Sequence, residues 1–412
     1  MVEKINNWKK DELMKGSLIL FFMINLFNLL NYIFHFSMQR LLGPGDYGIL
    51  AVLFSVVYIF SVPSEAIQNV VTRYVTFFNS RNQNRKIKFL ITLSLKKSVV
   101  ISILVFLLFL PVAYLLSISL KINFLMFVFT GIMVFFVFSL PIIRGGLQGR
   151  KKFFLLGTSM VVEGLIKVIF SVGLVLVGWK VYGAMSGLFI GLIAGLIMGF
   201  FFIKDILEGK EVKSNLNGIY TYSIPFFVSL LCVVLIYSLD VIFARLLFSP
   251  EVAGKYAVAS IFGKMIFFAT MAIGKAMFPL VSERNESGRE TTFLLKKSFK
   301  IVALISVVCL FFFFFFPNLI INTLSGKQYA DVSEILFIVG LALTLLSFTN
   351  LILLYGLSKD RIKKSSFSLL FFVILECVLF YIFRHSIFQF SVALLVTNIL
   401  LLIYSVILVK IK

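Results

Sequence analysis

The chain has 412 residues, of which 60% are hydrophobic, and its mean hydropathy is +1.05. A globule of this length has too little interior to hide so much apolar surface, so the composition excludes a water-soluble domain and predicts an integral membrane protein. The net charge is +21, but the cations lie between apolar runs, which indicates membrane topology and not a nucleic-acid partner.

Twelve apolar runs are long enough to cross about 30 Å of hydrocarbon. The first follows a polar, basic N-terminus, residues 1–16, and is too long for the core of a signal peptide, so we expect it to remain as a span. The twelve runs are residues 17–39, 48–71, 98–119, 122–143, 155–178, 181–203, 219–243, 252–280, 299–321, 332–356, 367–383 and 387–409. The connections are short and offer no extramembrane domain for an active site.

The cations are distributed unequally between the two sides of these spans. Of the 39 Lys and Arg residues, 29 lie in the termini and in the loops after even-numbered spans, and seven lie on the opposite side. Cytoplasmic loops carry the excess of Lys and Arg, so both termini are predicted to be cytoplasmic.

The start of the chain is repeated about halfway along it. Arg40-Leu41-Leu42 recurs as Arg245-Leu246-Leu247, and Pro44 and Gly48 recur as Pro250 and Gly254. Such a duplication predicts an all-α membrane protein with two parallel six-helix lobes, related by a pseudo-two-fold axis along the membrane normal and separated by a cleft. The expected lobes are residues 17–203 and 218–409, joined by a cytoplasmic linker at 204–217.

Polar residues on the second span share one helical face. They recur at i, i+3, i+4, i+7 and i+8, and they are Glu65, Gln68, Asn69, Thr72 and Arg73. Together with the asparagines of span 1 they suggest a polar lumen, although hydrogen bonding between spans 1 and 2 explains the same pattern. Glu65 is interpreted as an ion-coupling carboxylate or as the partner of a lysine.

Spans 5 and 6 carry an acid–base pair and a row of glycines. Glu163 and Lys167 have the i, i+4 spacing of an internal ion pair, with an exposed pair on the cleft wall as the alternative. Five glycines at four-residue intervals predict a ridge that lets another helix approach closely and cross obliquely. They are Gly183, Gly187, Gly191, Gly195 and Gly199.

The second half contains isolated charges within its spans. Lys264 and Lys275 are expected to share one face of span 8, with Lys264 near mid-membrane, where a lysine needs water or an anionic partner such as a diphosphate. Asp240 is interpreted either as a helix-end partner of Arg245 or as a functional position. Glu376 has no evident partner in the sequence, so it is either protonated or faces water. The three cysteines are separate in sequence and predict neither a disulfide framework nor a metal cluster.

Three segments carry a family resemblance. They are Arg40-Leu-Leu-Gly-Pro-Gly-Asp-Tyr-Gly48, Arg144-Gly-Gly-Leu-Gln-Gly-Arg150, and Asp240 followed by Gly254-Lys-Tyr-Ala257. They resemble the polysaccharide biosynthesis flippases, the Wzx-type O-antigen and repeat-unit transporters of the multidrug/oligosaccharidyl-lipid/polysaccharide (MOP) exporter superfamily. The resemblance implies a V-shaped, MATE-like transporter of polyprenyl-diphosphate-linked oligosaccharide in the cytoplasmic (inner) membrane. Its implied partners are the lipid bilayer and other polysaccharide assembly proteins. The first span has no cation before Arg40, so cavity charge from that helix is not carried over.

These observations together predict a transporter and not an enzyme, since no metalloprotease, P-loop or nucleophile-elbow motif is present. No cofactor or metal is predicted, and a Na⁺ or H⁺ gradient, or consumption of the product, would drive transport. The predicted substrate-binding residues are Lys264, Lys275, Arg73 and Arg144. The predicted ion-coupling or cavity residues are Glu65, Gln68, Asn69, Glu163, Lys167 and Asp240. A cation-coupled multidrug exporter and, more remotely, a membrane glycan ligase or polymerase are the alternatives.

Overall fold

A computed structural model describes residues 2–208, 211–212, 224–359, 362 and 364–409, and every regular element in these ranges is a helix. The predicted all-α fold is confirmed. The α-helices are α1 Val2–Asn79, α2 Asn84–Leu120, α3 Phe124–Ile132, α4 Val134–Gly149, α5 Phe153–Leu174, α6 Lys180–Phe202, α7 Lys204–Leu207, α8 Ile224–Leu247, α9 Pro250–Glu286, α10 Thr292–Phe315, α11 Pro317–Leu324, α12 Ser333–Ser358, α13 Leu369–Ile382 and α14 Ile387–Val409.

Nine helical stretches of the described chain are long and apolar enough to cross a membrane. Two of them contain a break and therefore each supply two spans. The stretch Ile19–Asn79 breaks at Gly43, whose φ is 73°, and Phe153–Phe202 breaks at Gly178, whose φ is 99°. With the shorter apolar helix Ser366–Ile382, these helices coincide with the twelve predicted runs.

The break at Gly43 has a local cause. Its positive φ is accessible to glycine without strain, and the following Pro44 has no N–H to continue the helical hydrogen bonds. The residue before a proline is also disfavoured in the α conformation. One 78-residue run is thus divided into two spans by a Gly-Pro pair.

Large apolar side chains remain exposed along the outer faces of the helices. On α10, Phe311, Phe314 and Phe315 are half or more exposed. The neighbouring Phe313 instead packs inward against Phe262, with ring centroids 5.9 Å apart. A surface of this kind is stable in lipid and would aggregate in water, as expected for a multi-pass membrane protein.

The chain divides by contact into two compact units. The first consists of the described residues of Met1–Leu41 and Phe60–Thr221, and the second of those of Leu42–Ile59 and Tyr222–Lys412. The predicted lobes follow the sequence repeat, whereas the contacts place residues 42–59 with the second unit. Half of the predicted linker at 204–217 lies outside the described residues, and its described part includes the short helix α7, Lys204–Leu207.

One close contact between residues 42–59 and α9 within the second unit is made by two glycines. A methyl group at Gly48 would lie 3.0 Å from the Cα of Gly254, and one at Gly254 would overlap the carbonyl of Pro44. Gly48 and Gly254 are equivalent positions in the sequence repeat. Both copies of the motif therefore have a glycine at the point where they touch, and a side chain at either position would collide with the other copy.

Ion pairs connect the turn between α4 and α5 to the short helix α7, which follows α6. Asp205 accepts hydrogen bonds from Arg150 Nη1 at 2.6 Å and Lys152 Nζ at 3.0 Å. Partial burial alone would raise the pKa of Asp205, but the two cations outweigh it and hold that pKa below its ordinary value of 3.8. The pair therefore stabilises this corner fully above that ordinary value, and the contribution is lost as the pH falls through the lowered pKa of the folded state.

The glycine row of α6 packs as predicted. Four of its members face α5: a methyl group at Gly183 would lie 2.9 Å from Leu174, and one at Gly187 would lie 2.6 Å from the Cα of Ser171. Gly191 and Gly195 meet Glu163 in the same way, at 2.8 and 2.7 Å. The last glycine, Gly199, has drifted off α5 and faces Ile143 of α4. This drift is what a row at four-residue spacing produces on a helix of 3.6 residues per turn.

We expect Gly187→Ala to lower the apparent melting temperature of the detergent-purified protein. The added methyl group meets the Ser171 backbone, and overpacking of this kind costs about 1–3 kcal/mol, more than the gain of about 1 kcal/mol in helix propensity. The matched control is Gly173→Ala on α5, where no atom lies within 4 Å of the new methyl group. Gly173→Ala should be neutral or stabilising, and equal effects of the two variants would contradict the close packing of α5 and α6.

Candidate functional site

The interior of the first unit holds a group of charged and polar side chains, which we call the first-unit cluster: Asn31 of α1, Arg144 of α4, and Glu163 and Lys167 of α5. Arg144 Nη2 donates a hydrogen bond to Glu163 Oε2, and Lys167 Nζ donates one to Asn31 Oδ1. Glu163 is 6% exposed and Lys167 is 4% exposed. Three helices are therefore joined by buried charged contacts.

Aromatic rings complete the surroundings of Lys167. Its ammonium lies 4.9 Å from the centroid of Phe34 and 6.0 Å from that of Phe27. An ammonium is attracted to the face of an aromatic ring, and the attraction is stronger where water is excluded. The rings thus lower the cost of placing this lysine among apolar helices.

The pairing within the cluster differs from the prediction. The i, i+4 spacing predicted that Glu163 would pair with Lys167, but the carboxylate pairs with Arg144 and the ammonium turns to Asn31. Lys167 stays within electrostatic range of Glu163. The spacing rule considers one helix alone, whereas the partner that reaches Glu163 lies on a neighbouring helix.

The cluster carries more positive than negative charge. It contains two cations and one carboxylate, and the buried Nε of Arg144 has no hydrogen-bond partner among the described residues. A buried donor without a partner is costly, and a guanidinium has five N–H groups to satisfy. The cluster can therefore accept a further anionic oxygen at Arg144.

The polar stripe of the second span faces α4. Gln68 Nε2 donates to Gln148 Oε1 at 2.8 Å, and Thr72 Oγ1 lies 3.4 Å from the same oxygen. Here the stripe hydrogen-bonds to α4, whereas the sequence interpretation of hydrogen bonding between helices had named span 1 as the partner. Glu65 is half-buried, whereas Asn69 and Arg73 are exposed.

The interior of the second unit holds another group, which we call the second-unit cluster: Asp240 of α8, Tyr256, Ser260 and Lys264 of α9, and Glu376 of α13. Asp240 Oδ1 accepts from Lys264 Nζ at 3.4 Å and from its neighbouring backbone N–H at 2.7 Å. Asp240 Oδ2 accepts from Ser260 Oγ at 2.6 Å and from Tyr256 OH at 3.4 Å. The carboxylate thus has four donors, as a buried charge requires.

Glu376 belongs to this cluster by position and charge. It is 0% exposed and interacts electrostatically with Asp240 and Lys264. Neither of its side-chain oxygens has a hydrogen-bond partner among the described residues. Of the two states that the sequence left open for Glu376, exposure to water does not apply in this conformation.

The predicted substrate-binding residues occupy different environments. The mid-membrane position of Lys264 had suggested that it lines a hydrated cavity. In this conformation Lys264 is instead 2% exposed and paired with Asp240. Lys275 and Arg73 are exposed, and the side chain of Arg144 is 15% exposed. Lys264 and Lys275 were expected to share one face of the helix, but Lys264 is buried and Lys275 is exposed.

Asp240 also departs from the helix-end interpretation. Its partner is Lys264, 24 residues along the chain, and Arg245 interacts electrostatically with Asp46 of the 42–59 segment. The cationic partner therefore comes from α9, not from the end of α8. The four-residue spacing of Tyr256, Ser260 and Lys264 on one face of α9 was a usable signal for this site.

Other partners had no comparable signal. Asn31 and Gln148 were not singled out as partners of Lys167 and Gln68, because nothing in the sequence states which helices become neighbours. Within the described residues, no group of three or more His, Cys, Asp and Glu side chains could hold a metal ion.

Comparison with known proteins identifies both a family and a fold. A family model described as "Polysaccharide biosynthesis protein" matches residues 13–285. No curated protein matches the sequence. Among solved structures, an inward-facing multidrug resistance MATE family transporter of the MOP superfamily has a TM-score of 0.76 at 13% identity, covering 93% of this chain and 94% of that one.

Two further structures share the fold. The eukaryotic MATE transporter AtDTX14 has a TM-score of 0.72 at 14% identity, with 98% of this chain and 96% of that one covered. The lipid II flippase MurJ in an inward closed conformation has a TM-score of 0.70 at 15% identity, with 97% and 88% covered. The fold predicted from the sequence is therefore confirmed.

The pair of Asp240 and Lys264 yields a test of the second-unit cluster. We expect Lys264→Met to destabilise the protein by about 3–5 kcal/mol, because it leaves the buried Asp240 carboxylate without its cation. Asp240→Asn should destabilise the protein less, because the carboxyl group of Glu376 is within electrostatic range of Lys264. The double variant should recover more than half of the loss caused by Lys264→Met, since it leaves no unpaired charge. Apparent melting temperatures of the four proteins form a double-mutant cycle, and additive effects would show that the two side chains do not interact.

Proposed function

Because the chain belongs to the polysaccharide biosynthesis protein family, we propose that it moves polyprenyl-diphosphate-linked oligosaccharide across the cytoplasmic membrane by alternating access. The apolar helices support a multi-pass location, and the excess of basic residues in the even-numbered loops supports cytoplasmic termini. The fold shared with MurJ, whose structure is described as that of a lipid II flippase, favours a lipid-linked substrate. In this proposal the chain transports and performs no chemistry.

The observation that carries the proposal is the positive charge of the first-unit cluster. Arg144 and Lys167 face one carboxylate, Glu163, and the Nε of Arg144 has no hydrogen-bond partner among the described residues. A diphosphate supplies several anionic oxygens, and the planar guanidinium of arginine can donate two parallel hydrogen bonds to them. Arg144 is therefore the residue that we assign to the headgroup.

The other predicted cations have secondary places in this proposal. Lys264 would meet an anion only after leaving Asp240, so its contact with substrate belongs to another stage of the cycle. Arg73 and Lys275 are exposed and would attract the anionic headgroup as it arrives from the cytoplasm. Glu65, half-buried on the second span, remains the candidate coupling carboxylate of the first unit.

The membrane potential would favour export of an anion. Each uncompensated negative charge that moves outward gains about 2.3 kcal/mol per 100 mV of inside-negative potential. Consumption of the flipped product by polysaccharide assembly proteins, or a coupled Na⁺ or H⁺ gradient, would add to this driving force.

The test is complementation of a bacterial strain that lacks its repeat-unit flippase, with surface glycan measured at matched membrane expression. Wild type should restore the glycan. Arg144→Gln should reduce it at least tenfold, because it removes the proposed diphosphate contact, which is worth about 1.5–3 kcal/mol for a charged hydrogen bond. Arg144→Lys should retain part of the activity.

The double variant Arg144→Gln/Glu163→Gln separates substrate binding from a purely structural role. If Arg144 only neutralises Glu163, removing both charges restores transport; if Arg144 binds the diphosphate, the double variant stays inactive. Restored glycan in the double variant would contradict the assignment.

A cation-coupled multidrug exporter is the second candidate, favoured by the fold shared with MATE transporters. Such a protein would bind cationic drugs, for which the positive first-unit cluster is unsuited. This candidate would be favoured if the wild-type protein restored no glycan but made the same cells resistant to cationic dyes.

A further inference from the structure

Two carboxyl groups and one ammonium group are enclosed together inside the second unit. Asp240 and Glu376 are both 0% exposed and Lys264 is 2% exposed. The structure pairs Lys264 with Asp240 at 3.4 Å, and Glu376 is within electrostatic range of both. If both carboxyl groups were ionised, the site would hold one uncompensated negative charge among apolar helices.

The surroundings show which carboxyl group carries the charge. Asp240 has four hydrogen-bond donors, from Lys264, Ser260, Tyr256 and the backbone N–H of Val241. Glu376 has none among the described residues. Burying an ionised carboxylate without donors costs several kcal/mol even after relaxation, and such a group takes up a proton instead.

Apart from Lys264, the described side chains near Glu376 provide no cation to neutralise it. The groups that interact with it electrostatically are Asp240 from α8 and, from α9, Lys264 and the uncharged phenol of Tyr256. The neighbouring α14, Ile387–Val409, contains no charged residue. On α13 itself the adjacent titratable group is the thiol of Cys377, which is not a cation. Lys264 is therefore the one cation that the described residues bring to both carboxyl groups.

We propose that Asp240, Lys264 and Glu376 form one proton-binding site, in which Glu376 holds the proton in the conformation seen here and Lys264 turns to Glu376 when that proton is released. In the loaded state Asp240 is ionised, Lys264 is protonated and Glu376 is neutral, so the site carries no net charge. On release, the proton passes from the Glu376 carboxyl group to water and the site gains one negative charge, shared between two carboxylates around one ammonium.

The hydrogen bonds of Asp240 make this exchange feasible. When Lys264 turns away, Asp240 keeps the donors Ser260 at 2.6 Å and Val241 N–H at 2.7 Å. A carboxylate that accepts several hydrogen bonds can remain ionised without direct contact with a cation. Lysine has a long, flexible side chain, which suits it to move between two carboxyl groups.

The exchange links proton binding to helix arrangement. With Glu376 protonated, Lys264 joins α9 to α8 through Asp240. With Glu376 ionised, the same ammonium would join α9 to α13. A proton would therefore change which helix α9 is tied to, and this holds whatever molecule the protein transports.

Infrared spectroscopy on the full-length purified protein in lipid tests the proposal, because the C=O stretch of a protonated carboxyl group is separate from the bands of a carboxylate. At neutral pH we expect wild type to show a protonated-carboxyl band that shifts in D₂O. Glu376→Gln should remove it. The matched control is Glu163→Gln, which changes a buried carboxylate that is paired with Arg144 and should leave the band in place.

The sharing of Lys264 is tested by Asp240→Asn. In this variant the ammonium has only Glu376 to pair with, so Glu376 should ionise and the band should disappear although Glu376 is present. Lys264→Met should keep the band. The proposal is overturned if wild type lacks the band, if Glu376→Gln retains it, or if Asp240→Asn leaves it unchanged. Should Glu376→Gln not fold, the wild-type and Asp240→Asn spectra decide alone.

Discussion

The cost of placing a charge among apolar helices governs the interior of this protein. Each unit contains ionisable side chains that are nearly inaccessible to solvent, such as Lys167 at 4% and Asp240 at 0% exposure. A buried charge is tolerated only where a partner and hydrogen bonds replace water. The charges therefore fix which helices are neighbours: Glu163 joins α5 to α4 through Arg144, and Asp240 joins α8 to α9 through Lys264.

The glycines of α6 support the charges of the first unit. A methyl group at Gly195 would lie 2.7 Å from the Glu163 carboxylate, and one at Gly191 would lie 2.9 Å from the Cβ of Lys167. Larger residues at these positions would push α6 away from α5 and open a gap beside the buried charges. Close packing by small residues excludes lipid and water from the cluster, and this strengthens its electrostatic interactions.

The sequence predicted the spans well because each depends on one local property, the length of an apolar run. The twelve runs were found in this way, and even the short helix at Ser366–Ile382 corresponds to a predicted run. The glycine row of α6 was found from another local property, its four-residue spacing. The partners of the charged residues were a different matter. Spacing suggested that Glu163 pairs with Lys167, and it offered Arg245 as the partner in one of the two interpretations of Asp240. The observed partners are Arg144 and Lys264, which lie on neighbouring helices.

These differences between spacing and observed pairing share one physical reason. A spacing rule covers side chains on a single helix, and at a helix face the competing partner from another helix is closer, better oriented or more deeply buried. Hydropathy places a residue along the membrane normal but does not state which way its helix is turned. Glu376 is the clearest case, since its neighbours Asp240 and Lys264 precede it by more than a hundred residues and could not be linked to it by any local pattern.

The two clusters have opposite charge character, although the chain that carries them is internally duplicated. The first-unit cluster has two cations and one carboxylate, whereas the second-unit cluster has two carboxyl groups and one ammonium. An excess positive charge can be neutralised by an anion such as a diphosphate, and an excess carboxylate can be neutralised by binding a proton. The proposed substrate and the proposed proton therefore require different interiors, and one duplicated scaffold supplies both because its halves have diverged in the residues that must be neutralised.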